Sequence, residues 1–565
     1  MNSDIRVIHC PIGRCEKCPQ GNDVSCKKLH QIKKNIDEES QIMLVETGRG
    51  LIHFCETSTP KLTEPPWRTE GWETVFIGKY SSLFEELGNI LAMYKTGPHL
   101  CVFTKLNNNQ TKYITVPLVR TALESSLIED LTDKALHFGV NTHSLKSITQ
   151  KLKQMIEDIS GYILDMIPEI NKATRLRLSE IIAHRRSVLG IFMPLILDNF
   201  VEEIYLDRPG VPVYFDHQKY GRCMTTFTLQ EHDVPKIITL IRAESNLHMD
   251  RGNPSLKMDL QIQDAVLRFS ASMPPLSPDG LHLEIRRARD RPFSISELIE
   301  NGTMTPEAAA ILVFAVSCRF NITITGGPGT GKTTLLNALD MTTPKWWRKI
   351  YIEDTIESRS QSNHHQVRFR VDPIDEHLMK FSKSNEIIKC LHRSPDYLIL
   401  GEIQTAEHSN ALFQAITAGL RTIQTCHSGS ASSLVSRWKL GHGILDDNLA
   451  LMDIIVTLER PRPGESKRIV CEISEIRRKK VENGLFEFSG LNSVYEKSQG
   501  VSNNWADDGA FMTQARDLGV DSHVPALRNL TEIIRQDIQY SNLEMLSERM
   551  WSYGHPMKFI ESSMR

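Results

Sequence analysis

One segment, from Gly326 to Thr333, constrains this chain more than any other stretch. It reads Gly326-Gly327-Pro328-Gly329-Thr330-Gly331-Lys332-Thr333 and fits the phosphate-loop pattern G-x-x-x-x-G-K-[ST] at every fixed position. The alternating, β-branched residues 320–325 before it predict a strand, and the residues after it predict a helix. Because strand, glycine loop and helix are the context that the motif requires, the segment predicts a nucleotide-phosphate site.

Each part of this segment has an expected task. The residues from Gly326 to Thr334 are expected to surround the phosphates of a nucleotide at the start of the helix with their backbone N–H groups, which all of them except Pro328 possess. The ammonium group of Lys332 would neutralise charge on the β- and γ-phosphates, and the hydroxyl of Thr333 would ligate Mg²⁺. ATP and Mg²⁺ are therefore the predicted cofactors.

Three later segments place further chemistry at the ends of predicted strands. The first, I-Y-I-E-D-T-I-E, delivers Glu353 within a cluster of carboxylates, and the second, P-D-Y-L-I-L-G-E, ends in Glu402. A carboxylate there can hold the metal or polarise the water that attacks the γ-phosphate. The third, T-C-H-S, carries His427, which can report the nucleotide state by hydrogen bonding. Solvated strand ends and a structural histidine are the plainer alternatives.

Strands and helices alternate through the region that holds these segments. This pattern predicts an α/β domain whose mostly parallel sheet carries helices on both faces and binds its ligand at the carboxyl ends of the strands. The predicted strands are 320–325, 349–353, 397–401 and 421–426, and the predicted helices are 332–339, 383–392 and 406–418.

The length of 565 residues predicts several domains. The predicted parts are a cysteine-rich segment (1–30), a small α/β or mainly β module (31–115), a helical region (116–200), an α+β domain (201–295), a phosphate-loop domain (296–490) and a polar tail that becomes helical (491–565).

Charge and hydropathy limit the ligands and the cellular locations that we expect for the protein. A net charge of −3 provides no general basic field, so direct binding of nucleic acid is not expected. The first residues lack the pattern of a signal peptide, and every apolar stretch is shorter than the roughly 20 residues that a membrane helix needs. We therefore expect a cytoplasmic protein, or one that is peripherally associated with a membrane.

Four cysteines cluster near the start of the chain. Cys10, Cys15, Cys18 and Cys26 form the spacing C-x4-C-x2-C-x7-C, which can close a tetrahedral Zn²⁺ site. Such a site would supply folding energy that a short segment lacks. The spacing leaves two alternatives open, an iron–sulfur cluster and cysteines that bind no metal.

The order of the motifs resembles that of a known family. The phosphate loop, I-E-D-T-x-E, P-D-Y-x-x-x-G-E and T-x-H-S together look like the type II/IV secretion and type IV pilus assembly ATPases, and most like the archaeal pilus and archaellum branch. The resemblance runs from about Leu189 to Gln499. It implies a RecA-like motor domain behind an α+β N-terminal domain, in a homohexameric ATPase that acts through a polytopic membrane platform protein on a pilus-like filament or a secreted substrate.

The resemblance also implies arginines that reach the phosphates from the N-terminal domain. The candidates are Arg222, Arg268 and Arg286, of which Arg268 and Arg286 are preferred. Two positions depart from the family, because Gln404 and His392 stand where arginine is usual. These departures are the best support for a rival function, a nucleotide-gated scaffold with little hydrolysis, but they leave the phosphate loop and Glu402 in place, so hydrolysis is still expected. A conjugation-type DNA-transfer ATPase is a third possibility, against which the near-neutral charge argues.

Overall fold

The computed structural model describes most of the chain. The described residues are 6–11, 41–47, 50–55, 73–76, 80, 83, 89–106, 110–119, 122–133, 147–288, 291–354, 356–358, 361–372, 381–481, 485–517, 522–537, 546–552 and 555–556, with the backbone alone before residue 80. The chain divides into two compact units, Met1–Asp290 and Arg291–Arg565.

The described residues of the first unit form two sheets. One has four strands in the order β1-β2-β3-β4, and the other has nine in the order β11-β12-β13-β8-β9-β10-β7-β6-β5. The strands are β1 (Arg6–Pro11), β2 (Gln41–Thr47), β3 (Gly50–Cys55), β4 (Glu73–Phe76), β5 (Asn89–Thr96), β6 (His99–Lys105), β7 (Thr111–Pro117), β8 (Val201–Leu206), β9 (Pro212–His217), β10 (Gly221–Thr228), β11 (Ser255–Ile262), β12 (Ala265–Ser272) and β13 (His282–Ala288).

The predicted boundary at residue 115 lies inside the larger sheet. Strand β7 pairs in parallel with β10, and the remaining pairs of this sheet are antiparallel. The fully buried rings of Tyr113 on β7 and Phe215 on β9 lie 5.0 Å apart, so the two parts share one core. This pairing joins strands that are distant in the chain, and local composition therefore carries no signal of it.

Among its described residues, the α-helices of the first unit are α1 (Ala122–Asp133), α2 (Ile148–Met166), α3 (Lys172–Arg186), α4 (Met193–Ile196) and α5 (Val234–Ser245). Helix α2 begins at a capping box in which Ser147 and Gln150 exchange hydrogen bonds, which satisfies N–H groups at the helix start. Ile148, Leu152 and Ile159 form its buried face, as the three- and four-residue spacing of apolar residues predicts.

The second unit is built on one sheet of nine strands among its described residues. They are β14 (Ile322–Gly326), β15 (Lys349–Glu353), β16 (Gln366–Arg370), β17 (Tyr397–Ile403), β18 (Thr422–His427), β19 (Ile454–Glu459), β20 (Ile469–Lys480), β21 (Phe486–Glu496) and β22 (Gly500–Val501). Their order is β16-β15-β17-β18-β14-β19-β20-β21-β22. The pairs from β16 to β19 are parallel and the last three are antiparallel, so the sheet is mostly parallel, as predicted.

Helices cover both faces of this sheet. They are α6 (Ile295–Glu300), α7 (Pro306–Ser317), α8 (Lys332–Asp340), α9 (Lys383–Lys389), α10 (Ala406–Thr417), α11 (Ala431–Ser436), α12 (Asp446–Leu449), α13 (Ala510–Asp517), α14 (Val524–Asp537) and α15 (Leu546–Ser552). Within β15, Ile350 and Ile352 enter one buried cluster while Tyr351 enters the other, because successive side chains of a strand point to opposite faces. The predicted helix at 383–392 ends as α-helix at Lys389 and continues as a 3₁₀ turn.

Described residues after 490 pack into the core of the second unit. Leu530 and Ile534 on α14 and Met550 on α15 are buried in the cluster that contains α7. The indole N–H of Trp551 donates to the carbonyl of Ser317 at 3.1 Å. The strongly apolar α7 has only 12 residues, and its hydrophobicity serves this core. Across the described part of the chain, no helix combines the length and apolar character that crossing a bilayer requires.

Candidate functional site

Two glycines let the phosphate loop turn tightly between β14 and α8. A Cβ atom on Gly326 would lie 2.5 Å from the carbonyl oxygen of Leu458 and 2.6 Å from the hydroxyl oxygen of Thr330. Gly331 precedes α8 with a φ of +90°, a conformation that side chains disfavour. The loop therefore requires glycine at both positions, and its arch sets the start of α8.

The side chain of Lys332 folds back over this loop. Its ammonium group donates to the carbonyl oxygens of Gly326 at 3.1 Å and Gly327 at 2.9 Å. It also donates to Nδ1 of His427 at 3.1 Å, since an ammonium group can only donate. Lys332 is 8% exposed, so its charge lies in a mostly buried position at the mouth of the loop.

His427 connects this lysine to the carboxylate of Glu402. Nε2 of His427 lies 2.5 Å from Oε1 of Glu402. Because Nδ1 accepts from Lys332, the neutral ring carries its proton on Nε2, which faces the carboxylate. The side chains thus form a continuous contact chain, Lys332–His427–Glu402, across the loop, β18 and β17.

A β-bulge sets the direction of Glu402. The pairing of β17 with β18 shifts register between Leu400 and Glu402, and Gly401 lies at the shift. The hydroxyl of Thr425 donates to the carbonyl of Gly401 at 3.0 Å, and the ammonium of Lys383 donates to the carbonyl of Glu402 at 2.7 Å. Bulges beside active sites commonly redirect one side chain, and here the redirected side chain faces His427.

Glu353 lies at the end of β15, and its carboxylate holds the turn that follows. One oxygen accepts from the backbone N–H groups of Glu357 at 3.1 Å and Ser358 at 2.9 Å, and the other accepts from the hydroxyl of Ser358 at 2.5 Å. Burial raises the pKa of Glu353 above its ordinary value, and these hydrogen bonds act in the opposite direction. Its observed contacts are those of a turn organiser, and its predicted catalytic role stays a prediction.

Lys383 and Arg468 support the site, and neither was selected from the sequence. The buried ammonium of Lys383 contacts Asp354 Oδ2 at 2.5 Å, which ties the end of β15 to that of β17. Nε of Arg468, from the turn between β19 and β20, donates to the carbonyl of Gly329 at 2.9 Å. A cluster of cations in residues 460–468 was the available signal, although such runs are usually solvated surface.

Three threonines complete the loop and the first turn after it. The hydroxyl of Thr330 donates to the carbonyl of Gly327 at 2.9 Å, which closes the loop on itself. Thr333 and Thr334 follow Lys332 in the first turn of α8 and remain partly exposed.

The three predicted arginines of the first unit lie in one row across its sheet. The facing pairs along that row are Asp259–Arg268, Arg268–Arg286, Arg286–Glu203, Glu203–Asp216 and Asp216–Arg222. Arg222 binds Asp216 at 2.9 Å and lies 4.8 Å from the centre of the Tyr205 ring. Arg268 lies 3.6 Å from Asp259, and Arg286 is exposed.

Arg268 and Arg286 therefore stand directly opposite each other on neighbouring strands. Like charges in facing positions repel, and the flanking carboxylates of Asp259 and Glu203 offset part of that repulsion. Arg222 is already engaged by a nearly buried carboxylate. The arrangement concentrates positive charge at the two arginines that the resemblance favours.

The positions that depart from the family have ordinary structural settings. The backbone carbonyl of Gln404 accepts a hydrogen bond from Arg437. His392 ends the 3₁₀ turn after α9. Its neighbour Arg393 contacts Glu386 at 2.8 Å and lies 4.1 Å from the centre of the Phe369 ring, so that arginine supports the local packing.

The predicted zinc ligands fall mostly outside the described residues. Cys15, Cys18 and Cys26 are not among them, and for Cys10 only the backbone in β1 is described. Elsewhere in the described residues, no group of three or more His, Cys, Asp or Glu side chains is arranged to hold a metal. The zinc site stays a prediction.

Comparison with known proteins gives a family match that includes the phosphate loop and the strand ends that carry Glu402 and His427. Residues 220–457 match the family described as type II/IV secretion system protein. The chain is 31% identical over 238 residues to the uncharacterised protein MJ0781 of Methanocaldococcus jannaschii, covering 41% of this chain and 32% of that protein. It is 27% identical over 219 residues to the conjugal transfer protein TrbB of Rhizobium radiobacter, covering 37% of this chain and 65% of TrbB. In both cases, the chain spans less than two thirds of the relative.

Two solved structures resemble the chain at low sequence identity. The ATPase DotB of Yersinia pseudotuberculosis is 15% identical, with coverage of 67% of this chain and 93% of DotB and a TM-score of 0.40. The pilus retraction motor PilT with bound ADP is 13% identical, with coverage of 64% and 92% and a TM-score of 0.36.

Proposed function

We propose that this chain, whose residues 220–457 match the type II/IV secretion system protein family, is a Mg²⁺-dependent ATPase. The observation that carries the proposal is the contact chain Lys332–His427–Glu402. It joins the lysine of a phosphate loop to a carboxylate at a nearby strand end, and phosphoryl transfer uses a loop lysine at the phosphates together with residues that hold Mg²⁺ and orient the attacking water.

The donor set of the loop suits ATP and Mg²⁺. Backbone N–H groups at the start of α8 and the ammonium of Lys332 bind phosphate oxygens. Mg²⁺ prefers oxygen ligands, and the hydroxyl of Thr333 and the carboxylate of Glu402 are oxygen donors of the required kind. Bound Mg²⁺ would neutralise charge that develops on the phosphates.

His427 gives the site a way to respond to the nucleotide. Phosphate oxygens compete with the carbonyls of Gly326 and Gly327 and with His427 for the N–H donors of Lys332. As Lys332 turns to the phosphates, Nδ1 of His427 loses its donor, and the ring can reorient towards the γ-phosphate. Because the same ring contacts Glu402, the nucleotide state reaches the carboxylate that handles the metal or the attacking water.

At the level of the assembly, the protein works as a homohexamer at the cytoplasmic face of a membrane. Arg268 and Arg286 contribute positive charge to the phosphates in the ring. Hydrolysis drives a polytopic platform protein, which assembles a pilus-like filament or exports a substrate. The family match supports this role, and the resemblance to the archaeal pilus and archaellum branch favours filament assembly.

Phosphate release by the purified full chain tests the proposal. Wild-type protein should hydrolyse MgATP, and Lys332→Ala should lose at least about 100-fold in turnover because it removes the charge on the β- and γ-phosphates. Lys389→Ala is the matched control, because Lys389 is a half-exposed lysine that pairs with Glu386 on α9. Wild-type turnover at the level of Lys332→Ala would contradict the proposal, and retained ATP binding in that case would support the scaffold function.

A conjugation-type DNA-transfer ATPase is the second candidate, because TrbB is a conjugal transfer protein. The net charge of −3 argues against direct binding of the protein to DNA. Binding to double- or single-stranded DNA that weakens steeply with salt would favour this candidate, and salt-independent or absent binding would favour the filament role.

The zinc site is a separate proposal for Cys10, Cys15, Cys18 and Cys26. Thiolates suit Zn²⁺, and the segment gains folding energy from it. Metal analysis of the purified chain should find one Zn²⁺ per protomer, and its loss in a Cys15→Ser, Cys18→Ser variant would locate the site. Protein with neither zinc nor iron would contradict every metal-binding alternative.

A further inference from the structure

Arg437 contacts the two strand-end loops that carry the proposed catalytic pair. Its Nη1 donates to the carbonyl of His427 at 2.7 Å, and its Nη2 donates to the carbonyl of Gln404, two residues after Glu402. One guanidinium group therefore bridges the carboxyl ends of β18 and β17. Sequence reasoning did not select this residue.

The bridge answers a requirement of the backbone. Gln404 lies just beyond the end of β17, and His427 is the last residue of β18, past the final β17–β18 pair of Ile403 with Cys426. Both carbonyls are partly buried and accept from Arg437, a donor from outside the two strands. The guanidinium group is planar and presents its N–H donors in a rigid fork. Two donors of one rigid group fix the separation of the two chains, which a single flexible ammonium group cannot do.

The surroundings hold Arg437 itself in place. It begins a π-helical turn, Arg437–Gly441, and such turns are frequent at functional sites. The next residue, Trp438, is fully buried, with its ring 5.2 Å from that of Phe413. Nε of Arg437 donates to Nε2 of His442 at 3.3 Å.

His442 completes the support on the far side. Because its Nε2 accepts from Arg437, its Nδ1 carries the proton and donates to the hydroxyl of the buried Ser409 at 2.8 Å. The two hydrogen bonds fix the ring, and the ring fixes the plane of the guanidinium group.

We propose that Arg437 is a positioning residue that sets the distance between Glu402 and His427 for ATP hydrolysis. This inference rests on the proposed ATPase function and deepens it. Arg437 acts through the backbone of the two strand ends, so it supports the transition-state arrangement and leaves phosphate binding to the loop. Its loss should therefore lower kcat with little change in KM.

Arg437→Lys in the full chain is the direct test, because it keeps the positive charge and removes the planar guanidinium group that donates to both carbonyls. We expect kcat to fall about 10- to 100-fold, the scale of a displacement near 1 Å, while KM for MgATP changes less than about twofold. His442→Phe removes one support of the guanidinium group and should also lower kcat, by a smaller factor than Arg437→Lys. This second variant keeps the proposal testable if Arg437→Lys does not fold.

Arg319→Lys is the matched control. Arg319 also donates two N–H groups to a backbone carbonyl, that of Asp396 at 3.1 and 2.8 Å, but at the amino ends of the strands. The Arg319→Lys variant should lower Tm about as much as Arg437→Lys does, and its kcat should stay at the wild-type value.

Three outcomes distinguish a positioning role of Arg437 from a purely structural one, and both from a protein that is not an ATPase. A selective loss of kcat in Arg437→Lys, with wild-type KM, supports the proposal. Unchanged kcat in folded Arg437→Lys, or an equal loss in Arg319→Lys, overturns it while leaving the ATPase function intact. Wild-type turnover no higher than that of Lys332→Ala overturns the ATPase function and this inference together.

Discussion

Lys332 and His427 connect the phosphate loop to the carboxylate of Glu402 on another strand. The ammonium of Lys332 binds two carbonyls of its own loop and the ring of His427, and that ring contacts Glu402. A nucleotide therefore meets a lysine that is already connected to the carboxylate. In the proposed function, this one imidazole ring couples nucleotide binding to hydrolysis.

Glu402→Gln tests the carboxylate at the residue scale. The change keeps the size of the side chain and removes its charge, so the metal or the attacking water loses its partner. We expect kcat to fall by about 10²- to 10⁴-fold, the range for loss of an acid–base group, with ADP affinity within a few-fold of wild type. Steady-state hydrolysis and equilibrium nucleotide binding measure the two quantities, and an unaltered kcat would exclude Glu402 from the reaction.

A second prediction at this scale concerns pH and His523. The imidazole is fully buried, with the rings of Trp505 and Phe511 at 4.3 and 5.3 Å. Burial lowers the pKa of His523 to about 4. Below its ordinary pKa of about 6.5, the unfolded chain binds a proton that the folded chain does not, so stability falls as the pH drops towards 4.

His523→Phe should remove this contribution. Between pH 6 and 4.5, the free energy of unfolding of the wild type should fall by up to about 1.4 kcal/mol per pH unit more than that of the variant. Denaturant unfolding of both proteins at matched pH values measures the difference. Parallel pH profiles would contradict a buried, neutral His523.

At the scale of the element, the turn between β14 and α8 is the part most sensitive to a single methyl group. Gly326→Ala would place a Cβ atom 2.5 Å from the carbonyl of Leu458. The backbone must move, so we expect ATP affinity to fall at least tenfold and stability to fall by about 1–3 kcal/mol. Calorimetric nucleotide binding and thermal unfolding measure these effects.

Gly419→Ala is the control for that change. Gly419 also has a positive φ, of +92°, but nothing lies within 4 Å of the position of an added Cβ. It should cost about 1–2 kcal/mol of stability and leave ATP affinity unchanged. Equal loss of affinity in the two variants would show that backbone strain, and not the loop geometry, is responsible.

Local sequence patterns were sufficient for the strand–loop–helix at 322–340 and for the strand ends that carry Glu402 and His427. Each of these depends on residues close together in the chain, such as alternation, glycine spacing and a terminal polar residue. The direction of Glu402 was not predictable, because it depends on a bulge in the pairing of β17 with β18.

The roles of Glu353 and Arg437 were unpredictable for a related reason. Glu353 was selected as a catalytic carboxylate, a role that stays a prediction, and its observed contacts organise the turn at 357–358. Arg437 acts on carbonyls of two other elements. A backbone carbonyl has no signature in the sequence, so hydrogen bonds to it become visible only when the elements are placed together.

At the scale of the whole molecule, the nine-stranded sheet of the first unit extends beyond the family match at residues 220–457. Strands β5 to β7 lie before that match, yet they join β10 through β7. The same sheet carries Arg268 and Arg286 in facing positions. The extension and the arginine pair therefore belong to one continuous sheet.

Arg268→Ala and Arg286→Ala test the role of that sheet in the assembled protein. Each removes one positive charge from the pair, so turnover at saturating MgATP should fall about 10- to 1000-fold, while the isolated chain stays folded. Arg222→Ala is the matched control, because Arg222 lies in the same row and is bound to Asp216. Turnover measured over a range of protein concentrations separates an effect on assembly from one on hydrolysis, and equal losses in all three variants would contradict the assignment.

A double-mutant cycle on ATP hydrolysis tests the central claim most directly, namely that His427 and Glu402 act as one unit. Single-turnover assays compare His427→Gln, Glu402→Gln and the double variant with wild type. The rate of Lys332→Ala serves as the baseline. If the contact chain operates as a unit, the double variant should be about as slow as the slower single variant, because effects of residues that act together are not additive. Losses that multiply in the double variant would contradict the chain Lys332–His427–Glu402 as the catalytic connection.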